Sequence, residues 1–268
     1  MTGDPHAGTR TFRTGGSAYD AFMGRYAVPL APLLADAAGV APPMRALDVG
    51  CGTGALTGEL VTRLGADQVA GCDPAPAQLE ACRERFPEVD LRAAPAESLP
   101  FHDGAFDVSL AQLVIHFVSD PVRSVGEMRR VVRPGGRVGA CVWDFEGGMQ
   151  LLVALWEAVV ELDAGAPSEL ILRPFGRAGE LGALFREAGL VDVREEVLAV
   201  ESPYESFEEL WSTVLLGVGP AGAYVTSLDE EGRTALRDAF HTRIGSPEGA
   251  FSLSATARAV VGTVPSAS

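Results

Sequence analysis

Three glycines in five residues, Gly50, Gly52 and Gly54, stand behind a short apolar run that ends in an acid, in "LDVGCGTGAL" from Leu47 to Leu56. Glycine reaches positive φ and lets a ligand approach the backbone closely. Between a strand and a helix, such a loop aims free N–H groups at something polar or anionic. The dinucleotide pattern is G-x-G-x-x-G, and an isolated match to it is weak. Here the spacing is G-x-G-x-G, with Asp48 two residues ahead. A second acid, Asp73 in "VAGCDPAP", follows 25 residues after Asp48. In a parallel α/β sheet, an acid ending the second strand accepts hydrogen bonds from ribose hydroxyls. The pair of features points to a nucleotide-like ligand.

Other residues have chemistry to offer. His116 lies four residues past Gln112, near the exit of the fourth expected strand. Imidazole titrates near neutral pH, so His116 is a candidate general base for a substrate proton. A hydrogen bond to loop backbone is the competing role. Trp143, Tyr204, Trp211 and Tyr224 are candidate substrate-binding residues, with core or cap packing as the alternative for each. Cys51 has no sequence neighbour to activate it, so it reads as a small residue filling the loop. No metal site is expected. The four histidines are scattered and the four cysteines form no C-x-x-C.

Composition removes whole classes of function. All 21 basic residues are arginine. Without lysine there is no internal Schiff base and no P-loop. The net charge of −15 argues against nucleic acid and anionic membranes as partners. The longest apolar run, Val108 to Val118, is broken by Ser, Gln and His and is too short to span a bilayer. The expectation is a cytoplasmic protein acting on a small-molecule acceptor, as monomer or homodimer.

The elements that must position these residues alternate. "RALDVG", "QVAGCD", "VDLRAA", "AFDVSLAQ" and "GGRVGACVWD" read as strands. "ALTGELVTRLG", "APAQLEACRERF", "DPVRSVGEMRRVVR" and "RAGELGALFREAGL" read as helices. This order predicts an α/β fold, with ligands at the carboxyl ends of the strands of a mostly parallel sheet. "VDVREEVLAV" is a further strand, and "AFSLSATARAVVGTV" alternates as a final antiparallel strand would. "YDAFMGRYAVPLAPLLADAAGV" carries apolar residues at helical spacing, and its two prolines predict two short helices or one kinked one. Residues 146–178 and 203–248 interrupt the alternation and read as helical cap insertions.

Asp48, the GCGTG loop, Asp73 and the late block "EMRRVVRPGGRVGACVW" resemble a class I S-adenosylmethionine-dependent methyltransferase. "AESLPFHDGAFDVSLAQLVIHFVSDP" is similar to the ubiquinone/menaquinone C-methyltransferase-like group of small-molecule enzymes. The resemblance covers about residues 18–200. It implies a Rossmann-like seven-stranded sheet, one methyltransferase domain over 1–268 and an N-terminal cofactor lid over 18–40. It implies S-adenosylmethionine as cofactor and S-adenosylhomocysteine as product. Gly50, Cys51 and Gly52 would then face the methionine part, with Asp48 ordering the loop. Asp73 would bind the ribose, Pro74 the adenine face, and Ala96 and Glu97 the adenine edge. Gln112 would border the methionine end, Tyr19 would shield the sulfonium, and Arg25 would pair with the carboxylate. Pro95 stands where the family often has Asp, so Glu97 or a backbone carbonyl must take the adenine amine. Methyl transfer is the implied reaction. A cyclase or rearrangement enzyme on the same fold, and a non-catalytic cofactor-binding regulator, are the alternatives.

Overall fold

β1 (Ala46–Val49) and β2 (Val69–Asp73) are buried along their whole length. Strands covered by helices on both faces need apolar side chains at successive positions, and both runs supply them. The computed structural model describes residues 20–146, 148–166, 168 and 175–266. Beside these lie β3 (Asp90–Ala93), β4 (Phe106–Gln112), β5 (Val132–Trp143), β6 (Val191–Tyr204) and β7 (Phe251–Thr263). The sheet order is β3-β2-β1-β4-β5-β7-β6. β1 to β5 are parallel, and β7 runs antiparallel between β5 and β6. This is the seven-stranded, mostly parallel α/β sheet with a final antiparallel strand that the alternation predicts.

The order reverses between β1 and β4, and at such a switch point the strand ends open a crevice. On one face, α1 (Arg25–Ala37), α2 (Ala55–Leu64) and α3 (Pro76–Arg85) cover the sheet; on the other, α4 (Pro121–Val131) and α6 (Glu180–Glu187) do. The cap consists of α5 (Gln150–Leu162), α7 (Phe207–Val214), α8 (Gly219–Ser227) and α9 (Glu230–Arg243). Its apolar side chains continue the core of the first face. Residues 147, 167 and 169–174 of the expected cap lie outside the described residues.

Of the two expected forms of the N-terminal helical stretch, the single helix is observed; one helix-to-strand boundary differs from expectation. Pro29 and Pro32 both sit inside the single helix α1, which follows a π-helical turn over Asp20–Gly24. Each proline removes a helical hydrogen bond. Full burial of Tyr26, Leu30 and Leu34 on one face offsets that loss. Val132 and Arg133, read as the end of a helix, instead open β5. Pro134 follows, and the residue before a proline is pushed out of helical geometry.

Among the described residues, no helix is long and apolar enough to cross a membrane, and no cluster of three His, Cys, Asp or Glu is placed to hold a metal ion.

Candidate functional site

The loop from β1 into α2 is tied to β2 rather than left open. Gly50 and Cys51 donate their N–H groups to the Cys72 carbonyl at 2.7 and 3.0 Å. Gly52 N–H donates to Asp73 Oδ2 at 2.9 Å, and Gly54 N–H to the Cys51 carbonyl at 2.8 Å. These four N–H groups are spent inside the protein, so any free donors that the loop offers come from Thr53 and the start of α2. The glycines are still needed. Gly50 has φ +72°, and a Cβ there would stand 2.5 Å from Val114 Cγ2. Gly52 has φ +54°, and a Cβ there would meet nothing within 4 Å.

That open space belongs to a cavity of about 340 Å³ lined by the loop, Asp48, Ala27, Gln112 and Leu113. Its polar side chains are acceptors. Asp48 is 1% exposed and accepts from Thr57 Oγ1 at 2.6 Å. Burial pushes its carboxyl up to about 7; the Thr57 hydrogen bond opposes that rise, and the nearby Asp73 charge adds to it. Gln112 Nε2 donates to the Ala27 carbonyl at 2.8 Å, which leaves Oε1 buried without a hydrogen-bond partner. A buried acceptor in that state calls for a donor.

Asp73 ends β2 beside this loop. Its Oδ1 accepts from Ala75 N–H at 2.8 Å, and burial pushes its carboxyl up against the opposing pull of the Ala75 and Gly52 bonds. Two oxygens offer about four lone-pair sites, so acceptor capacity remains after two bonds. Pro74 is exposed just beyond it. The neighbouring Cys82 thiol and burial push the Cys51 thiol up, and Cys82 Sγ itself donates to Thr57 Oγ1 at 3.8 Å. A thiol so placed is inert, as the filler reading expects.

Not every expected residue faces this cavity. Arg25 pairs with Glu209, donates to the Pro203 carbonyl at 3.2 Å and lies over the Tyr204 ring. It fastens α1 to the cap, which corrects its reading as a partner for a ligand carboxylate. Glu97 Oε1 accepts from Ser119 N–H and Oγ at 2.8 and 2.7 Å. Burial raises its pKa, but these bonds and one from Asp120 outweigh that and hold it below the usual range. Its carboxylate caps the turn before α4. Its Oε2 keeps acceptor capacity, so both acceptors expected for an adenine amine, Glu97 and a backbone carbonyl, stay open. Ala96 is buried in the core of the opposite face. Tyr19 lies outside the described residues.

A strap that sequence reasoning missed crosses the loop. Asp20 Oδ1 accepts from Thr53 Oγ1 at 2.6 Å, and Asp20 pairs with Arg85, which donates to the Thr53 carbonyl at 3.1 Å. The only sequence signal was that Asp20 belongs to "YDAFMGRY"; nothing local links it to Arg85.

A second cavity, of about 470 Å³, adjoins the first and shares Leu113 with it. His116 and Trp143 line it. Tyr204, Trp211 and Tyr224 do not, which corrects their reading as substrate residues. Tyr204 shares a 3.1 Å hydrogen bond with Tyr26 and stacks on Phe251. Trp211 stacks on Phe207, and Tyr224 donates to Asp163 at 3.0 Å. Each serves the cap's own packing.

The comparisons with known proteins bear on the same segment. The methyltransferase domain family matches residues 47–139. An uncharacterised methyltransferase of Mycobacterium tuberculosis is 44% identical over 100 residues, 37% of this chain and 40% of that protein. The demethylmenaquinone methyltransferase of Renibacterium salmoninarum is 37% identical over 106 residues, 40% of this chain and 44% of that protein. The chain thus spans about two fifths of the length of the curated relatives it matches. Among solved structures, phosphoethanolamine N-methyltransferase 2 of Haemonchus contortus, in complex with S-adenosyl-L-methionine, gives a TM-score of 0.61 at 13% identity, over 99% of this chain and 61% of that one. The cyclase SpnF gives 0.52 at 22% identity, over 89% of this chain and 82% of that one. At these identities the likeness is one of fold. The stretch that carries the glycine loop, Asp73 and Gln112 is thus similar to the methyltransferase domain family, and it is set in a fold that solved methyltransferases share.

Proposed function

We propose that the chain transfers a methyl group from S-adenosylmethionine to a small organic acceptor. The observation that carries this reading is the acceptor character of the loop cavity. A dinucleotide pyrophosphate needs donors, and four of the loop's N–H groups, those of Gly50, Cys51, Gly52 and Gly54, are spent inside the protein. Asp48 and the unpartnered Gln112 Oε1 suit a ligand that brings positive charge and N–H donors. S-adenosylmethionine has an ammonium and a sulfonium, and when bound it supplies an electrophilic methyl group.

The chain's own residues then hold, orient and enclose. Gln112 Oε1 and Asp48 take the ammonium end. Asp73 takes the ribose hydroxyls with the lone pairs that Gly52 and Ala75 leave. The Asp20–Arg85–Thr53 strap closes the loop from above, with 18–40 as lid and 146–178 and 203–248 as cap. Alignment of the acceptor and exclusion of water are the main demands such a reaction places on a protein. The relative named for demethylmenaquinone supports the quinone-type subgroup through 37% identity in the matched segment.

Calorimetry with S-adenosylmethionine and NAD tests the cofactor: the first is expected to bind and the second not, and the reverse order would overturn the reading. Asp73→Ala is expected to weaken S-adenosylmethionine by about 1.5–3 kcal/mol, through loss of charge-assisted bonds and of the Gly52 tie. Unchanged affinity would remove Asp73 from the site. The likeness to SpnF keeps a cyclase reading in view. A product heavier by one CH₂ than the acceptor excludes it.

His116 is 6% exposed, in a short 3₁₀ turn with its ring against Phe117 and Phe145. In a base role, His116→Gln lowers kcat by at least about a hundredfold with cofactor affinity intact. In a structural role, the same change costs about 1–2 kcal/mol of stability with a modest loss of rate. We favour the structural outcome; kcat against Tm in that one variant decides, and a stable protein turning over normally excludes both roles.

A further inference from the structure

We propose that the second cavity is the acceptor site, and that it takes an uncharged, predominantly apolar, ring-sized molecule with one polar atom turned toward His116. It adjoins the loop cavity at Leu113, and its empty space of about 470 Å³ includes its open mouth. Phe22 and Met23 come from the turn before α1, Trp143 from the end of β5, and Leu152 from α5. Val218 to Ala221 close it from the start of α8. Among the described residues, no Asp, Glu or Arg lines it.

An ionised group brought into such walls loses its hydration and finds no counter-charge. The surroundings add to the discrimination against anions. Residues 201–250 hold nine acids and three arginines, so this part of the chain carries a net charge of −6. That field disfavours phosphorylated and coenzyme-A-linked acceptors.

Two further features belong to the same cavity. Leu113 stands in the left-handed region at φ +62°, a strained conformation for a leucine, with its N–H on the Cys141 carbonyl at 2.9 Å. It lines both cavities, so it forms the partition across which acceptor and methyl donor would meet. Strain of this kind persists where surrounding structure fixes it, and it gathers at functional sites. Beside the α8 wall, Leu215 and Leu216 are 42% and 40% exposed, in a segment whose Gly217 and Gly219 both have positive φ. An apolar ligand would find there an apolar approach to the cavity.

The inference rests on the methyltransferase reading for the reaction, but not for the binding. The test therefore begins without cofactor. N-phenyl-1-naphthylamine is an uncharged fluorescent probe, and 8-anilino-1-naphthalenesulfonate has the same rings plus a sulfonate. The uncharged probe is expected to bind saturably, one per chain, at least about tenfold more tightly than the sulfonate. Ala221→Phe and Leu152→Trp fill the cavity from opposite walls, and each is expected to weaken the probe at least about tenfold with S-adenosylhomocysteine binding unchanged. Melting curves show which variants fold; Leu152→Trp answers the question should Ala221→Phe not fold. Sulfonate binding as tight as that of the uncharged probe overturns the proposal. So does an unchanged probe affinity in a folded variant of either kind. Failure of S-adenosylmethionine to bind while the probe does bind would instead overturn the proposed reaction and leave the apolar site standing.

Discussion

Gly52→Ala is expected to fold and to lose its cofactor, whereas Gly50→Ala is expected to lose stability as well. Both positions have positive φ, where an L side chain costs about 1–2 kcal/mol. They differ in what the new methyl group meets. At Gly50 it would stand 2.5 and 2.9 Å from the two methyl carbons of Val114, below any normal contact distance. Val114 belongs to the turn after β4 that positions His116, so both must shift. Overpacking of this kind adds about 1–3 kcal/mol to the backbone cost. At Gly52 the methyl would enter empty space that lines the loop cavity. It displaces nothing in the free protein and stands where the ligand must approach. The expected result for Gly52→Ala is a Tm within a few degrees of wild type. Its S-adenosylmethionine affinity should be lower by about a hundredfold, or about 2.8 kcal/mol. Calorimetry and melting curves on the two variants check this. A Gly52→Ala protein that binds cofactor normally would place the ligand elsewhere.

How much of this was legible before folding differs by residue. The sheet was readable because β1 and β2 are short buried runs, apolar but for Asp48 and Asp73, and because strands and helices alternate at short spacing. The placement of the glycine loop and of both acids was readable because it is local: each is set by position relative to one strand end. The direction of the loop's N–H groups was not, since it depends on the Cys72 carbonyl of the neighbouring strand. Arg25 and Glu97 show the same limit. Each has a charge that any partner could take, and the partner, Glu209 or Ser119, stands 184 or 22 residues away. The aromatic residues were misassigned for a related reason. Tyr204 and Trp211 differ from Trp143 only in which side of the cap they meet, and side chains of one type carry no mark of that. The apolar wall of the second cavity is the extreme case. Val218 to Ala221 are small and apolar, and only the turn of the chain into α8 brings them to Phe22 and Trp143.

Cofactor binding is expected to release a proton, and Asp48 is its source. Burial holds that carboxyl at about 7 in the free protein, so near pH 6.5 it is mostly protonated. A ligand bringing an ammonium into the same cavity favours the ionised form and pulls the pKa down. Affinity should therefore rise by about tenfold or more between pH 5.5 and 7.5 and level off above. Calorimetry near pH 6.5 in two buffers of different ionisation enthalpy should show the released proton as a buffer-dependent heat. Stability should run the other way. The folded pKa lies above the unfolded value of 3.8, so between about pH 4 and 7 the native state binds more protons than the unfolded chain. The Asp48 contribution falls as pH rises through that window, by up to about 1.4 kcal/mol per pH unit, and is flat above it. Asp73, also raised, adds a slope of the same sign. Asp107 and Glu127, held low, act oppositely as pH falls further, so the comparison must be a difference. Asp48→Asn keeps an acceptor for Thr57 and cannot titrate. The wild-type-minus-variant stability should decline from pH 4 to 7, and the buffer-dependent heat should vanish in the variant. Equal heats in the two buffers for the wild type, with affinity flat from pH 5.5 to 7.5, would mean that Asp48 does not share its cavity with the bound cation.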